Sequence, residues 1–335
     1  MVITGKTGQG KGQHFLLSKE ARRLSLASVA RLDDEQAYKL LCAIRWCDTG
    51  GDPVCPLCGC LAIYKHASRR IFTCKACSKQ FSVTSGTILH SRKMPIRDIL
   101  MAMAIFVNGV KGHSALHLSR DMCREHKTCF VLLHKLREAM GRETAGRMAE
   151  GVIEIDGAYF GGYVKPTNWH VNRRDRRLAR NQSGKRRVLV VMRERGGRTM
   201  PFVVKREAQS VKELGRRIAP GSVVHADETR SWDDLYYQGV YLLRINHEEA
   251  YSDGQSSTNQ AESFFSRIRR AEIGMHHHVA GPYLGDYGHE MAWREDARRI
   301  DNATQFLMLG LAALTSSSSP RWRGYWQRSQ KAVSA

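Results

Sequence analysis

The sequence has no apolar run long enough to cross a lipid bilayer. Its longest apolar stretch, Phe306 to Leu314, is well short of the roughly 20 residues that a membrane-spanning helix requires. The first residues also lack the apolar core of a secretory signal peptide. Both absences argue against a membrane partner and predict a cytoplasmic protein.

Acidic residues are few relative to basic ones. The chain of 335 residues has 53 Lys and Arg against 32 Asp and Glu, which gives a net charge of +21. Such an excess of positive charge repels itself unless an anionic partner neutralises it. Because a membrane is disfavoured, the composition predicts a cytoplasmic or nucleoid-associated protein that binds nucleic acid.

A disulfide framework is not expected either, since disulfides are rare in cytoplasmic proteins. Instead, four of the nine cysteines form two C-x2-C pairs, Cys55 with Cys58 and Cys74 with Cys77, separated by 15 residues. This spacing is typical of a zinc ribbon, in which two tight turns each supply two thiolates to one tetrahedral ion. We therefore predict one structural Zn²⁺ bound by these four residues. The alternatives are redox-active motifs, which no thioredoxin-like βαβ pattern supports, and a competing ligand at Cys60.

The patterns along the chain predict a multi-domain α/β protein. Residues 1–32 are basic and rich in glycine at the start, which indicates a flexible arm. A helix is expected within 33–50, because Asp33-Asp34-Glu35 precedes an apolar-periodic segment. The zinc ribbon occupies 51–95, with a hairpin of two short alternating strands between its cysteine pairs.

The region 96–148 is helical by its apolar period and ends in two short amphipathic helices with a tight connection. This is the pattern of a helix-turn-helix, whose second helix enters the major groove of DNA. The second helix, Lys127 to Met140, has apolar residues on one side and basic residues on the other. We predict that Lys127, Lys135 and Arg137 contact DNA. Ordinary packing of two amphipathic helices is the alternative.

The region 150–312 has the pattern of an α/β catalytic domain with a mixed sheet. A strand from Val152 ends at Asp156, a hairpin turns at Gly196-Gly197, and a later strand ends at Asp227. Adjacent strands lie about 4.8 Å apart, so carboxylates at their ends can share metal ions. Asp156 and Asp227 are therefore candidate ligands, and ordinary solvated surface charges are the alternative.

A third ligand is expected from a helix predicted over Ser257 to Arg269. Its period places Asn259 and Glu262 together at i and i+3. Asp156, Asp227 and Glu262 form a D-D-E set whose last gap is 35 residues, which is typical of an RNase H-like polynucleotidyl transferase. Carboxylates suit hard cations, so we predict that these three residues bind Mg²⁺ or Mn²⁺.

Four motifs together carry a resemblance to a known protein family. They are Cys74-Lys-Ala-Cys-Ser-Lys-Gln-Phe-Ser-Val-Thr-Ser-Gly-Thr87, Glu154-Ile-Asp-Gly-Ala-Tyr-Phe-Gly-Gly162, His225-Ala-Asp-Glu228 and Thr258-Asn-Gln-Ala-Glu-Ser-Phe-Phe-Ser-Arg-Ile-Arg-Arg270. With them, the chain resembles the ISXO2-like zinc-ribbon DDE transposases of bacterial insertion sequences. The resemblance runs from about Glu35 to Asn302.

This resemblance implies an enzyme that binds the terminal inverted repeats of its insertion sequence, cleaves DNA with a divalent metal and joins the freed end to target DNA. Synapsis of two ends implies a dimer or larger assembly. The resemblance also implies that Asn259 is the third metal-site residue and that Glu262 is its accompanying acid. Arg269 or Arg270 stands where lysine is usual, and either arginine preserves the contact with DNA phosphate but changes its geometry. The residue chemistry favours Glu262, since a neutral amide screens less metal charge. We therefore retain both Asn259 and Glu262 as catalytic candidates.

Two further basic segments are candidate DNA contacts. The insertion at 165–187 has nine Lys or Arg against one acid, Asp175. A solvated loop is the alternative, but this imbalance favours a phosphate clamp. The contacts predicted there are Arg173, Arg174, Arg176, Arg177, Lys185, Arg186 and Arg187. The second segment is a basic tail at 313–335.

Two other functions are compatible with the sequence. One is a domesticated zinc-ribbon DNA-binding regulator with an inactive nuclease fold, and the other is a structure-selective nuclease that does not join strands. The presence of Asp156 and Asp227 at the expected places argues against the inactive fold. A DNA cleavage and joining assay separates the three functions.

Overall fold

The computed structural model describes residues 14–161, 169–174, 184–227, 230–245 and 257–328. The α-helices in these ranges are α1 (Leu26–Ala30), α2 (Asp34–Arg45), α3 (Ile96–Asn108), α4 (Ala115–Asp121), α5 (His126–Arg142), α6 (Val211–Gly215), α7 (Asn259–Ala271), α8 (Leu284–Asp296) and α9 (Asn302–Thr315). The strands are β1 (Ile63–Lys65), β2 (Phe72–Cys74), β3 (Gln80–Phe81), β4 (Val152–Phe160), β5 (Arg187–Glu194), β6 (Thr199–Val204), β7 (Val223–Asp227) and β8 (Tyr241–Ile245). Within the described ranges, no helix combines the length and the apolar character needed to cross a membrane.

A three-stranded antiparallel sheet, β1-β2-β3, forms the zinc ribbon. Ile63 pairs with Cys74, and Phe72 pairs with Phe81. Trp46, which follows α2, packs edge-on against Phe72 with ring centroids 5.6 Å apart. This buried aromatic contact fixes α2 to the ribbon.

The helix predicted before the ribbon is confirmed as α2. It begins at a capping box, in which Asp33 Oδ1 accepts hydrogen bonds from the amides of Glu35 and Gln36. The side chain of Gln36 accepts one from Asp33 N in return. At the other end, the Arg45 guanidinium donates to three backbone carbonyls within 82–85. The two ends of α2 are thus held by different polar contacts.

The predicted flexible arm at 1–32 is wrong for its second half, because that half is packed against the helices. α1 contacts α3, and Val29 is buried. Leu24 N donates to Asn302 Oδ1 at 2.7 Å, and Asn302 Nδ2 donates to Leu24 O at 2.9 Å. These paired hydrogen bonds attach the segment to the start of α9. Residues 1–13 lie outside the described residues.

The final helix, α9, packs with the helices that precede the mixed sheet, and together they form the N-terminal helical core of α2, α3, α5 and α9. It packs against α2, α3 and α5, and Phe306 and Leu309 are buried there. Gly310 permits close packing, since a Cβ at this position would lie 3.0 Å from Ile44 and 3.2 Å from Met103. The predicted catalytic domain at 150–312 is therefore wrong at its end. An apolar run in the sequence does not specify which hydrophobic core the helix joins. In this chain the close packing at Gly310 places α9 against Ile44 and Met103.

The five-stranded sheet is mixed, as predicted, with the order β6-β5-β4-β7-β8. β4 is antiparallel to β5 and parallel to β7, β5 is antiparallel to β6, and β7 is parallel to β8. One face forms a core with α6 around Ile153 and Ile155. α7 and α8 cover the other face, around Leu189 and Val191. The predicted fold class, a zinc ribbon followed by an α/β domain with a mixed sheet, is confirmed.

α8 lies between this sheet and α5. Gly288 approaches the sheet so closely that a Cβ would lie 3.0 Å from Leu189 and 3.3 Å from Pro201. On the other side, a Cβ at Gly141 of α5 would lie 2.6 Å from the ring of His289. Close approach at two glycines thus joins the N-terminal helical core to the sheet through α8.

α5 does not present the predicted basic face. Arg137 is fully buried, and its Nε donates to Glu290 Oε2 of α8 at 2.7 Å. The assignment of Arg137 as a DNA contact is therefore wrong, because its charge is neutralised in an ion pair between α5 and α8. Lys127 is exposed and Lys135 is half-buried. Ordinary helix packing, the alternative to a recognition helix, describes most of α5.

The predicted basic tail packs against the first half of α5. Trp322 is 1% exposed and stacks on His134, with ring centroids 4.5 Å apart. Trp326 Nε1 donates to Lys127 O at 3.2 Å. The tail is therefore an aromatic anchor as far as residue 328, where the described residues end.

Candidate active site and zinc centre

The four cysteines of the ribbon converge on one point. Cys55 Sγ lies 3.6 Å from Cys77 Sγ, and Cys58 Sγ lies 3.6 Å from Cys74 Sγ and 3.5 Å from Cys77 Sγ. A tetrahedral zinc ion with Zn–S bonds of about 2.3 Å places its sulfurs about 3.8 Å apart, so the four thiols fit this ion. The four Sγ atoms lie within 4.8 Å of one another, and Cys60 is not part of the group. The structure therefore brings together the four cysteines that the sequence predicted as ligands.

Two matching turns bring these cysteines together. Gly59 N donates to Cys55 O, and Ser78 N donates to Cys74 O, each at 3.0 Å. Gly59 and Ser78 both have left-handed backbones, with φ of 73° and 57°, a conformation that glycine adopts freely and other residues rarely adopt. Each cysteine pair therefore ends in the same tight turn, and the pairing of β1 with β2 sets the two turns face to face.

Asp156 and Asp227 lie at the same level of neighbouring parallel strands. Val152 of β4 pairs with Val223 of β7, and Glu154 pairs with His225. Continued by two residues, this register places Asp156 beside Asp227. The sequence predicted that the strand ends at Asp156. In the structure β4 continues to residue 160, so Asp156 lies within the strand. The two carboxylates can face one site because adjacent strands are only about 4.8 Å apart.

Asp156 has a strongly acidic environment. Burial, and after it the charges of Asp227, Glu262 and Glu207, together raise its pKa to about 7, against the hydrogen bond that Gly157 N donates at 2.7 Å. Effects of this kind require the other carboxylates to lie nearby. A divalent cation neutralises such a group, and carboxylate oxygens are the donors that Mg²⁺ and Mn²⁺ prefer. The residues therefore fit a divalent metal site.

Glu154 holds the start of α7 beside these acids. It is buried, and its Oε2 accepts hydrogen bonds from Gln260 N at 2.7 Å and Ala261 N at 3.2 Å. These amides belong to the first turn of α7, where no helical carbonyl is available to them and the helix dipole favours a negative charge. Glu154 Oε1 accepts from Arg195 Nε at 2.8 Å, and Arg195 also donates to Ser257 O at 3.0 Å. Glu154 is thus a positioning residue for α7.

The two candidates for the third ligand lie on the first turn of α7. Glu262 is half-buried, its charge acts on Asp156, and its Oε1 accepts a hydrogen bond from Thr258 Oγ1 at 3.1 Å. Asn259 is the first residue of α7 and is exposed. In the part of the chain that the structure describes, no three carboxylates lie within 4.8 Å of one another. The acids therefore border a shared site without forming a closed cluster, and Asn259 and Glu262 both stay candidates for the third ligand.

Two further side chains of this site were not predicted from the sequence. Trp232 is buried, and its Nε1 donates to Asp227 Oδ1 at 2.6 Å, which orients that carboxylate. Glu207 lies over Gly157, where a Cβ would be 2.8 Å from Glu207 Oε1. Burial and the charge of Asp227 raise the pKa of Glu207. Trp232 follows Asp227 closely enough to suggest a local contact, whereas no sequence pattern marks Glu207.

The predicted DNA contacts form three groups. Those with exposed side chains are Lys127, Arg173, Arg174, Lys185, Arg269 and Arg270. Lys135, Arg186 and Arg187 are partly buried, and the Arg186 guanidinium carbon lies 4.1 Å from the ring centroid of Tyr159. Arg176 and Arg177 lie outside the described residues, as does much of the insertion at 165–187. The exposed residues stay predictions for DNA binding.

Comparison with protein-family models gives two matches. Residues 148–296 match the ISXO2-like transposase domain, and residues 32–80 match the transposase zinc-ribbon domain. The first range contains both aspartates and all of α7, and the second contains all four cysteines of the metal site. No curated protein matches the chain.

Proposed function

Because the chain belongs to the zinc-ribbon, ISXO2-like family of DDE transposases, we propose that it binds the terminal inverted repeats of its insertion sequence and catalyses metal-dependent DNA cleavage and strand transfer. One observation carries this proposal above the others: Asp156 and Asp227 share a level on parallel strands, and the charge of Glu262 acts on Asp156. Three carboxylates from two strands and a helix are what a polynucleotidyl transferase requires at its metal site.

Asp156, Asp227 and Glu262 are the proposed ligands of Mg²⁺ or Mn²⁺, with Asn259 beside them. Ions held in this way activate an attacking oxygen and stabilise the leaving oxygen in phosphoryl transfer. The surrounding residues keep the ligands in place, Glu154 through the amides of α7 and Trp232 through Asp227. Such positioning matters because in-line attack depends on a fixed geometry.

The zinc ribbon and the helices α3, α4 and α5 are proposed to recognise the element end. The net charge of +21 supports a DNA partner, since neutralisation of phosphates supplies much of the affinity of DNA-binding proteins. Lys127, Arg173, Arg174, Arg269 and Arg270 are exposed and are the proposed contacts. Joining of two ends requires a dimer or larger assembly, acting at the bacterial nucleoid.

A labelled element end, incubated with the protein with and without Mg²⁺, tests this proposal. The wild-type protein is expected to cleave the end only with the metal and to join it to target DNA. Asp156→Asn and Asp227→Asn should each reduce cleavage at least about 1000-fold, because a metal site contributes several kcal/mol of transition-state stabilisation. Both variants should still bind the end. Asp234→Asn changes an exposed acid close to Asp227 and should cleave like the wild type.

The same assay distinguishes the other functions. Cleavage without joining would identify a structure-selective nuclease. Specific binding without cleavage would identify a regulator with an inactive nuclease fold. Unchanged cleavage by the Asp156 and Asp227 variants would overturn the assignment of the active site.

A further inference from the structure

A basic groove lies at the end of α7 that is farther from the carboxylates. It is a cavity of about 990 Å³ bordered by residues 14–22 and by the C-terminal ends of α3, α7 and α8. Its exposed basic side chains are Arg22, Lys111, Arg267, Arg270, Arg298 and Arg299. These residues come from four separate parts of the chain, so the fold and not a local charge run creates the basic groove.

The basic groove has more positive charge than its own acids neutralise. Among the described residues that line it, the acids are Glu20 and Glu295. Glu295 is 4% exposed and lies within 3.4 Å of guanidinium nitrogens of Arg193, Arg267 and Arg298. Arg193 also pairs with Asp296, so Arg267 and Arg298 are the groove residues that share Glu295. The exposed basic side chains of the groove outnumber its two acids, and the net positive charge attracts an anionic partner into the concave surface.

α7 fixes the distance between the basic groove and the active site. Glu262 lies in the first turn of α7 and Arg270 in its last turn. The rise of 1.5 Å per residue over this separation gives about 12 Å. Each strand of B-DNA has a phosphate about every 3.4 Å along the axis. A span of about 12 Å therefore corresponds to about four base pairs.

We propose that the basic groove binds the phosphate backbone of duplex DNA about four base pairs from the bond that the carboxylates cleave. This inference rests on the proposed function and specifies where its substrate lies. Arginine suits the role because its planar guanidinium forms paired, charge-assisted hydrogen bonds with phosphate oxygens. Duplex DNA is the favoured occupant because α7 connects the groove directly to the carboxylates, so that one rigid element spans both contacts.

Binding of the element end without divalent metal tests the groove separately from cleavage. The double variant Arg270→Ala/Arg299→Ala should bind roughly 100-fold more weakly, because two charge-assisted contacts are lost. The slope of log affinity against log salt should fall in magnitude by about 2, since each phosphate contact contributes about 0.9. The matched control is Lys212→Ala/Arg216→Ala, which removes two exposed basic residues at α6 on the opposite face of the sheet and should leave the slope unchanged.

Neutral methylphosphonates, placed singly at about two to eight base pairs from the cleavage site, locate the contact. With the wild-type protein, the substitution about four base pairs away should weaken binding. With the Arg270 and Arg299 variant it should have no further effect, because that contact is already absent. The control variant should respond like the wild type.

Three results would overturn the inference. Two of them are an unchanged salt slope for the groove variant and additive effects of the methylphosphonate at every position. Loss of self-association with unchanged DNA binding would also overturn it, since the groove would then hold a second copy of this chain. Cleavage by the wild-type protein with Mg²⁺ is measured in parallel. If cleavage fails while groove-dependent binding persists, the proposed catalytic function fails and the DNA contact stands.

Discussion

The zinc ribbon and the carboxylate site collect their ligands over very different lengths of chain. The ribbon takes its ligands from Cys55 to Cys77, through two tight turns that place sulfurs 3.5 to 3.6 Å apart. The carboxylate site takes its proposed ligands from Asp156 to Glu262, and its geometry depends on the pairing of β4 with β7 and on the packing of α7. Local geometry therefore builds the first site, and tertiary contacts build the second.

This difference predicts how each site responds to change. A local site fails when a ligand is lost, and its failure unfolds the small module around it. A site built by tertiary packing also responds to residues that never touch the metal, such as Glu154. Three predictions test this contrast, beginning with the largest expected effect.

Cys74→Ser is expected to abolish zinc binding and unfold the ribbon. Structural zinc contributes about 10 kcal/mol or more to small zinc domains, which exceeds what a sheet of three very short strands supplies by other contacts. Metal analysis should show one zinc ion per wild-type chain and almost none in the variant, and residues 55–81 should become sensitive to protease.

Two variants serve as controls for this result. Cys60→Ser should retain zinc because Cys60 is outside the thiol group. Asp156→Asn should retain zinc as well, since Asp156 is not part of the thiol group. Full zinc retention by Cys74→Ser would show that the ribbon does not depend on four cysteines.

The junction between the N-terminal helical core and the sheet, formed by α5 and α8, should become less stable in acid. Burial opposes the ionisation of Glu290, but Arg137 and Arg294 outweigh it and lower the pKa of Glu290 from 4.5 to about 2. A lowered pKa means that the folded state binds fewer protons than the unfolded state. The stabilisation is therefore complete above pH 4.5 and is lost as the pH falls towards 2, by an amount on the order of 3 kcal/mol. Calorimetry should show the N-terminal helical core and the sheet unfolding separately at low pH.

Replacing both Arg137 and Glu290 by Met removes the titrating carboxylate and its buried partner while keeping the junction filled. Arg294 then retains its hydrogen bonds to the carbonyls of Phe106 and Val107. This variant should lose about 3 kcal/mol less stability than the wild type between pH 4.5 and 2. Asp286 lies in the same junction, but burial raises its pKa from 3.8 to about 6. The effect of Asp286 on folding stability has the opposite sign and occurs over a higher pH range. Its contribution to stability increases as the pH falls from 6 to 3.8. Identical acid profiles for the wild type and the double variant would contradict the prediction.

Glu154→Gln should impair metal use although Glu154 is not a proposed ligand. The substitution keeps the shape of the side chain but removes the charge that the α7 amides and Arg195 contact. The Mg²⁺ concentration for half-maximal cleavage should rise 10- to 100-fold, a range typical of residues that orient metal ligands. At saturating Mg²⁺ the rate should recover. Glu150→Gln, an exposed acid just before β4, should behave like the wild type, and an equal loss at every Mg²⁺ concentration would indicate a general folding defect instead.

The sequence predicts those features of the fold and of the candidate site that depend on residues close together in the chain. The paired cysteines, the cap of α2 and the strands around Asp156 and Asp227 each depend on residues close together in the chain. The placement of α9 could not be predicted in this way, since an apolar helix fits any core until a contact such as that of Gly310 with Ile44 selects one. Arg137 was misassigned for the same reason, because its buried partner, Glu290, is far away in sequence.

The unpredicted parts of the candidate site have the same cause. Glu207 reaches the acids only because Gly157 has no side chain to keep it away. Trp232 donates a hydrogen bond to Asp227 that no sequence pattern specified. The basic groove combines Arg22, Lys111 and later arginines that no sequence window contains together.

The position of α9 also has a consequence for the order of synthesis. Ile44 and Gly310 are in contact, so the N-terminal core cannot close until nearly the whole chain has left the ribosome. A translation product that ends early has an open apolar face in place of the complete helical core that is proposed to recognise DNA. We therefore expect that shortened products do not occupy element ends in competition with the full-length protein. The proposed DNA-recognition region and the proposed catalytic domain are therefore expected to complete their folding together, in the full-length chain.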